Sequence, residues 1–519
     1  MTGPPAPTDA SARWRQAAAL GCFTALSLLC LHPYHFGIGD QELTLPIVKA
    51  YLDPGLYPGD YLLEVRHRYF TFLWRGLAAA ARLSGLGLPE LFFGAYLLCL
   101  VASLRALQAI FDALFGDFDA TCLALALSLV ASRSLAPSSL IESSLLTRTA
   151  ALPVALFALQ RCLLGRWRGA FLLLGASLLI HPHTGAFAAA MLVTALLLEA
   201  RALGRRQVLQ CLAILLAAAA PILAWRASAS PERLAGLFAD PRWLEILRLR
   251  SSFDLFPSAW TWDRWLETLA YVSLWALGER RAPEGERHRA ARRFAYALLG
   301  VCVIGTLGVA WIPVTALIQW HPGRSLIYLV PFAAAYCAKL CVDWLGGRFA
   351  AHRRAAALAA TALVLAAGRA VEAEGPPRPL RLASDQPAAW LYAQLWARSQ
   401  TPRSALFIVP PSLGGFRAGS ERSVYAEWRD GTMSFWDPEL GEEWLRRMRS
   451  LGLTSPETLW EDYLRLREPA FSAIAGAHAG RAVFAVVPQG RHPLSFPVAY
   501  RNEEFAVYRI DEVSGGGRR

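Results

Sequence analysis

The chain has 519 residues, a formal charge of +12, 55% hydrophobic residues and a mean hydropathy of +0.32. Those values exclude a soluble globular protein and describe a polytopic membrane protein with room for more than one domain. The positive charge does not read as a nucleic-acid surface, because the arginines fall in short clusters between apolar runs.

The first apolar run, Gln16 to Phe36, has about the twenty residues that a helix needs to cross roughly 30 Å of hydrocarbon. Arg13 and Arg15 precede it as in a signal peptide, but no small-residue cleavage site follows, so a retained first helix is predicted. Next comes the stretch Leu31 to Glu64, which places Asp40 and Glu42 just past the lipid boundary, followed by Asp53, Asp60 and Glu64. Carboxylates at a membrane surface need a reason, and this loop is predicted to form half of an active site.

Further apolar runs lie near 88–110, 117–132, 149–165, 169–183, 184–200, 207–225, 265–279, 294–318, 324–345 and 355–371, for about eleven spans in all. Basic clusters at Arg13, Arg166, Arg201, Arg280 to Arg293 and Arg348 to Arg354 fall on one side, which is therefore assigned to the cytoplasm. The N-terminus is then inside, and the loops 37–87, 133–148 and 226–264, with everything after Val371, are outside. The connection from Asp112 to Asp119 is acidic and goes against this rule. Within Ala227 to Leu266, the residues Leu234, Leu237, Phe238, Trp243, Ile246 and Leu247 recur at roughly helical spacing, which predicts an amphipathic helix lying on the membrane.

After Val371 the composition changes. A linker over 372–384 leads to a polar, aromatic-rich region, 385–512, and then to a Gly-Arg tail over 513–519 that is expected to be disordered. A helix over 385–399, strands at 405–409 and 423–428, helices over 438–451 and 456–466, and strands at 482–487, 498–500 and 505–510 predict a small α/β domain. The fold class is thus mainly α, a helical membrane bundle carrying an extracytoplasmic α/β domain. All nine cysteines lie in apolar runs without zinc-ligand spacing, so neither a disulfide framework nor a zinc site is expected.

No phosphate loop, GxGxxG, HExxH, nucleophile elbow or CxxC pair occurs, so nucleotide-driven transport and the common hydrolase plans lose support. What remains are ionisable residues near the outer ends of spans, and these are expensive enough in or beside a bilayer to be candidate functional residues. They are Asp40 and Glu42, His32 and His35, Glu142 and Arg148, His181 and His183, and His321 with Arg324. Each has a plainer reading as well. Asp40 and Glu42 can cap the following helix, Glu142 can pair with Arg148, Arg324 can snorkel, and Asp60 can serve the turn after Pro58-Gly59.

An acidic pair after the first span, many helices and an external C-terminal domain resemble the glycosyltransferase C (GT-C) superfamily, which uses polyprenyl-phosphate-linked sugars. A finer resemblance is to an uncharacterised bacterial membrane family related to it. That likeness rests on Gly39-Asp40-Gln41, Leu56-Tyr57-Pro58-Gly59-Asp60, His181-Pro182, Gln319 ahead of Arg324, Thr401-Pro402, Ala405-Leu406-Phe407, Phe416-Arg417 and Arg422-Ser423-Val424-Tyr425.

The resemblance implies a multi-pass protein of the bacterial inner membrane with a lipid-linked sugar donor as partner and no nucleic acid. Asp40 would be the general base, assisted by Glu42, or the two would hold a divalent metal ion. Arg148, Arg324, His181, His183, Glu142 and Asp60 would bind substrate. Two other readings stay open at this point: a transporter or lipid- and polysaccharide-handling protein without covalent chemistry, and an assembly factor acting through its external domain.

Overall fold

The computed structural model describes residues 10–130, 135–136, 138–372 and 380–510. Most of the expected linker, the tail over 513–519 and Arg133 lie outside the described residues. Every apolar run falls on a helix. Six helical segments are long and apolar enough to cross a membrane: Ala10–Leu31, Leu88–Phe115, Arg205–Ala229, Glu286–Trp311, Thr315–Arg348 and Ala350–Val371. Phe118–Val130, Trp167–Ile180 and Pro182–Leu198 are apolar but shorter. The protein is a multi-pass membrane protein.

The chain divides into two compact units, one of Met1–Tyr34, Phe92–Ala224 and Phe253–Leu380, the other of His35–Leu91, Trp225–Ser252 and Arg381–Arg519. In the first, the membrane unit, helices approach closely where a side chain is missing. A Cβ on Gly175 would run into Ala218, and one on Gly278 into Tyr336, so these glycines let neighbouring backbones come together as small residues do between helices in lipid. The acidic connection near Asp117 is also explained here. Arg353 reaches Asp117 at 2.5 Å and Lys339 reaches it at 3.6 Å, so its charge is matched by basic residues of the same unit.

Two of the apolar segments are broken at a His-Pro pair. Trp167–Ile180 ends at His181, and Pro182 opens the next helix, where its fixed φ and missing N–H cost nothing. Thr315–Trp320 ends at His321, whose φ of +52° is in the left-handed region, before Pro322–Ser325 restarts the helix. Irregular backbone at such breaks is tolerated inside a membrane protein where it lines a cavity.

The second unit is built on a five-stranded sheet in the order β2-β1-β3-β5-β4, with β1 Leu406–Ile408, β2 Ser423–Val424, β3 Val483–Pro488, β4 Val498–Arg501 and β5 Phe505–Ile510. β2, β1 and β3 are parallel, while β5 runs antiparallel to β3 and β4. Trp390 and Ala397 of helix Ala388–Gln400 join Phe407, Phe416, Phe484 and Phe505 in its core.

The strand expected over 423–428 stops at Val424. From Trp428 to Phe435 the chain turns into 3₁₀ helix, and Gly431 lies too close to Trp444 to carry a side chain. The amphipathic helix is confined to Pro241–Leu255 and is broken at Ser251. Trp243, Ile246 and Leu247 are buried, and the Trp243 indole donates to the Ser434 carbonyl at 2.7 Å. Those three side chains are therefore packed in protein, while Leu237 and Phe238, which precede the helix, are exposed.

Candidate functional site

Five side chains singled out in the sequence line one cleft in the membrane unit: Glu142, Arg148, His181, His183 and Arg324. Ser138, Ser139 and Thr149 add hydroxyls, and Phe187 and Tyr328 add aromatic wall. The cleft is narrow, about 30 Å³, enough for a water or two.

Both guanidiniums already hold a carboxylate. Arg148 donates through Nε to Glu142 at 2.6 Å. Arg324 grips Asp254 with two nitrogens, Nε at 2.8 Å and Nη2 on the other oxygen, the fork geometry that suits a carboxylate or a phosphate alike. Arg324 is therefore not snorkelling to the interface, and Asp254 is a site residue that sequence reasoning missed. His321 stands 3.6 Å from the same carboxylate.

The imidazole tautomers follow from their partners. His181 Nδ1 accepts the Thr184 backbone N–H at 3.3 Å, which places the proton of the neutral ring on Nε2 and leaves that nitrogen a donor. His183 donates through Nε2 to the Gln319 carbonyl at 2.6 Å, which fixes its ring and gives Gln319 a structural part in the site. The rings of His183 and His321 meet edge to face at 5.2 Å. Two guanidiniums and an imidazole donor beside apolar helices can bind an anion whose remainder is apolar.

The other candidates belong to the sheet-containing unit. Asp40 precedes helix Gln41–Leu52 but makes no capping hydrogen bond, so the plain capping reading does not describe it. Instead Arg429 bridges the pair, with Nε 2.8 Å from Glu42 and Nη1 3.4 Å from Asp40. Glu42 lies tight against Gly414, where a Cβ would clash with its carboxylate. Burial pushes the Glu42 carboxyl above its usual range, against the pull of Arg429. Among the described residues, no three His, Cys, Asp or Glu side chains gather in a way that could hold a metal ion.

Asp60 is buried and fully engaged. Its Oδ1 caps the short helix Tyr61–Glu64 by accepting from Leu62 and Leu63, and its Oδ2 accepts from Arg417 at 2.7 Å and from the Val424 N–H at 3.0 Å. Arg417, 1% exposed, also donates to Asp430 at 2.9 Å and to Glu427 at 3.4 Å. Three carboxylates thus share one guanidinium. Burial raises the Glu427 carboxyl to about 8, partly offset by Arg417, with Asp430 and Glu42 adding to the rise.

The short strings behind the family resemblance turn out to be one another's partners. Leu56-Tyr57-Pro58-Gly59-Asp60 meets Phe416-Arg417 through the Asp60 ion pair and through a Tyr57 hydroxyl donating to the Arg417 carbonyl at 3.1 Å. Arg422 donates to the Arg398 and Thr401 carbonyls at 2.5 and 2.7 Å, tying the Thr401-Pro402 turn to β2.

One family model matches, a domain of unknown function designated DUF6798, over residues 388–451. That segment contains Arg417, Glu427 and Arg429. No curated protein sequence matches the chain. Among solved structures, the chain is similar to ArnT from Cupriavidus metallidurans in the apo state, at 12% identity and a TM-score of 0.42, over 98% of this chain and 100% of that one. It is similar to ArnT from the same organism bound to undecaprenyl phosphate, at 15% identity and 0.42, over 99% and 100%. A third similar structure is the oligosaccharyltransferase AglB from Archaeoglobus fulgidus in complex with an inhibitory peptide and a dolichol-phosphate, at 13% identity and 0.47, over 91% of this chain and 69% of that one. At those scores the likeness bears on neither reaction nor substrate, which rest on the chain's own residues.

Proposed function

We propose that this protein is a membrane glycosyltransferase that moves a sugar from a polyprenyl-phosphate donor to an acceptor hydroxyl at the extracytoplasmic face of the bacterial inner membrane. In this reading the chain crosses about eleven times, with its N-terminus in the cytoplasm and the sheet-containing unit outside.

The observation that carries the proposal is the cleft. Arg148, Arg324 and the Nε2–H of His181 converge among apolar helices, as an anionic head on a lipid chain requires. Because each guanidinium is already paired, a phosphate enters by exchanging with Glu142 and Asp254, and the narrow cleft opens as those pairs part. The acceptor hydroxyl gives up its proton to a base, for which Asp40 is the candidate read from the sequence, as the acceptor's oxygen bonds to the anomeric carbon. The polyprenyl phosphate then leaves with the electron pair of the broken bond, and the two guanidiniums balance its charge. Arg429 lies beside Asp40 and orients Glu42. A metal ion at Asp40 and Glu42 would find only two carboxylates, both paired with Arg429, so no step is assigned to one.

The test is transfer by purified protein in lipid, offered a panel of radiolabelled polyprenyl-phosphate sugars with a membrane extract as acceptor. Transfer is expected from at least one donor, and Asp40→Asn should lower it about 100-fold or more while the protein stays folded. Full activity in Asp40→Asn removes the base. No transfer from any donor, with a folded protein that functions in cells, removes the reaction.

A further inference from the structure

The sheet-containing unit holds a second cavity, of about 450 Å³, which is within the range of small-molecule sites. Most of its wall is apolar, formed by Phe36, Leu45, Leu88, Pro89 and Leu391. One end is charged. Lys49 Nζ donates to the Ala418 carbonyl at 2.7 Å and to Glu421 at 2.8 Å, and Arg398 Nε lies 3.1 Å from the other oxygen of Glu421. Two cations therefore face one carboxylate, and the group keeps a net charge of +1 in a largely apolar cavity.

Further observations mark this end as built for a ligand. Lys49 is largely buried, and burial holds its ammonium below the usual range, a cost that an incoming anion would reduce. Its ammonium has three hydrogens, and two of them are used by Ala418 and Glu421. Glu421, which ends the helix Phe416–Ser420, has a φ of +53°, a left-handed conformation that disfavours residues other than glycine. Among the described residues only Tyr57, His321 and Glu421 have a positive φ without being glycine, and His321 belongs to the cleft already described. Strain of this kind persists where surrounding structure fixes it, often at binding sites.

We propose that this cavity binds an amphiphilic anion, a long-chain phosphate or carboxylate whose head pairs with Lys49 and Arg398 while its chain lies along Phe36, Leu45, Leu88 and Leu391. The inference does not depend on the transfer reaction. It stands or falls on binding alone.

The test uses full-length Arg324→Gln protein, in which the membrane-unit cleft is weakened, in nanodiscs of zwitterionic lipid. Radiolabelled dodecyl phosphate is titrated below its micellar concentration. Saturable binding of one molecule per chain is expected, at least tenfold weaker when Lys49→Met or Arg398→Gln is added, and abolished when Leu391→Trp fills the cavity. Inorganic phosphate and dodecanol should each compete at least tenfold less well than unlabelled dodecyl phosphate. Arg398 is half-exposed, so its variant should fold even where Lys49→Met does not. Unchanged binding in the Arg398→Gln and Leu391→Trp variants overturns the proposal. Competition by inorganic phosphate at equal strength overturns the amphiphile, and equal competition by dodecanol overturns the charged end.

Discussion

The two units use the same chemistry, arginine against carboxylate, in opposite proportions. In the membrane-unit cleft, two guanidiniums each hold one carboxylate, Arg148 with Glu142 and Arg324 with Asp254, and the arginines keep about a quarter of their side chains exposed. In the sheet-containing unit, one guanidinium holds three carboxylates, and all four groups are at most 2% exposed. Matched, half-open pairs can be exchanged one for one with an incoming anion. An over-subscribed and sealed arginine cannot let go of Asp60 or Asp430 without leaving a bare charge in a place water does not reach. The ion pairs of the first kind are suited to binding, and those of the second hold the unit together.

The widest separation between the two regions should appear in stability. Arg417→Met leaves Asp60, Glu427 and Asp430 without a cation, and breaking a buried pair from one side costs about 3–5 kcal/mol. Arg148→Gln removes a partly exposed partner and should cost about 1 kcal/mol or less. Thermal unfolding of the two purified variants checks this. Equal losses would mean that the cleft pairs are as structural as the network and would break the comparison.

How far the sequence revealed this arrangement depended on the company each residue kept. The cleft residues were legible because a charge or a His-Pro step inside an apolar run has no ordinary reason to be there, and His181 and His321 both mark breaks that the structure retains. Asp254 was not legible. It lies near the end of helix Pro241–Leu255, in a stretch that the sequence assigns to an external loop where an aspartate is unremarkable, and its partner Arg324 is 70 residues away. Arg429 was hidden for the same reason, 387 residues from Glu42 and in a stretch whose aromatic neighbours suggested core. Asp60 drew notice as a turn residue, but nothing local pointed to Arg417, 357 residues on. Periodicity located the helices well, since each apolar run is a helix, whereas strand pairing was beyond reach. The two residues of β2 are too few to show a period, and parallel partners such as Leu406 and Val483 carry no mark of each other.

The next effect, on binding, separates competition from orientation within the cleft. Under the proposed reading, Arg324→Gln should weaken polyprenyl phosphate binding about tenfold to a hundredfold, because a hydrogen bond to a charged group is worth about 1.5–3 kcal/mol. If phosphate enters by displacing Asp254, then Asp254→Asn frees the guanidinium and should tighten binding severalfold, with no gain when Arg324 is already absent. Equilibrium binding in nanodiscs reads all three variants. Weaker binding in Asp254→Asn would instead make Asp254 the residue that aims Arg324.

The smallest effect is a slope. Three carboxylates on one cation carry a net charge of −2, and the network relieves it by keeping a proton on Glu427, whose carboxyl is raised to about 8 by burial above all. An unfolded glutamate gives up its proton near pH 4.3. Between these values the folded chain holds more protons than the unfolded one, so stability falls as pH rises through that window and levels off above about 8. Each pH unit there is worth up to about 1.4 kcal/mol, and a loss of about 3–4 kcal/mol between pH 5 and pH 8 is expected. Glu427→Gln imitates the protonated side chain, so its stability should be nearly flat over the same range and should exceed that of the unsubstituted protein at pH 8. Glu142 pairs with Arg148 in the cleft and is no member of this network, so Glu142→Gln should leave the slope in place. Unfolding curves at pH 5 to 9 for the three proteins decide the matter. A slope that survives Glu427→Gln would assign the proton to another member of the network, and a slope lost in Glu142→Gln would place it in the wrong unit altogether.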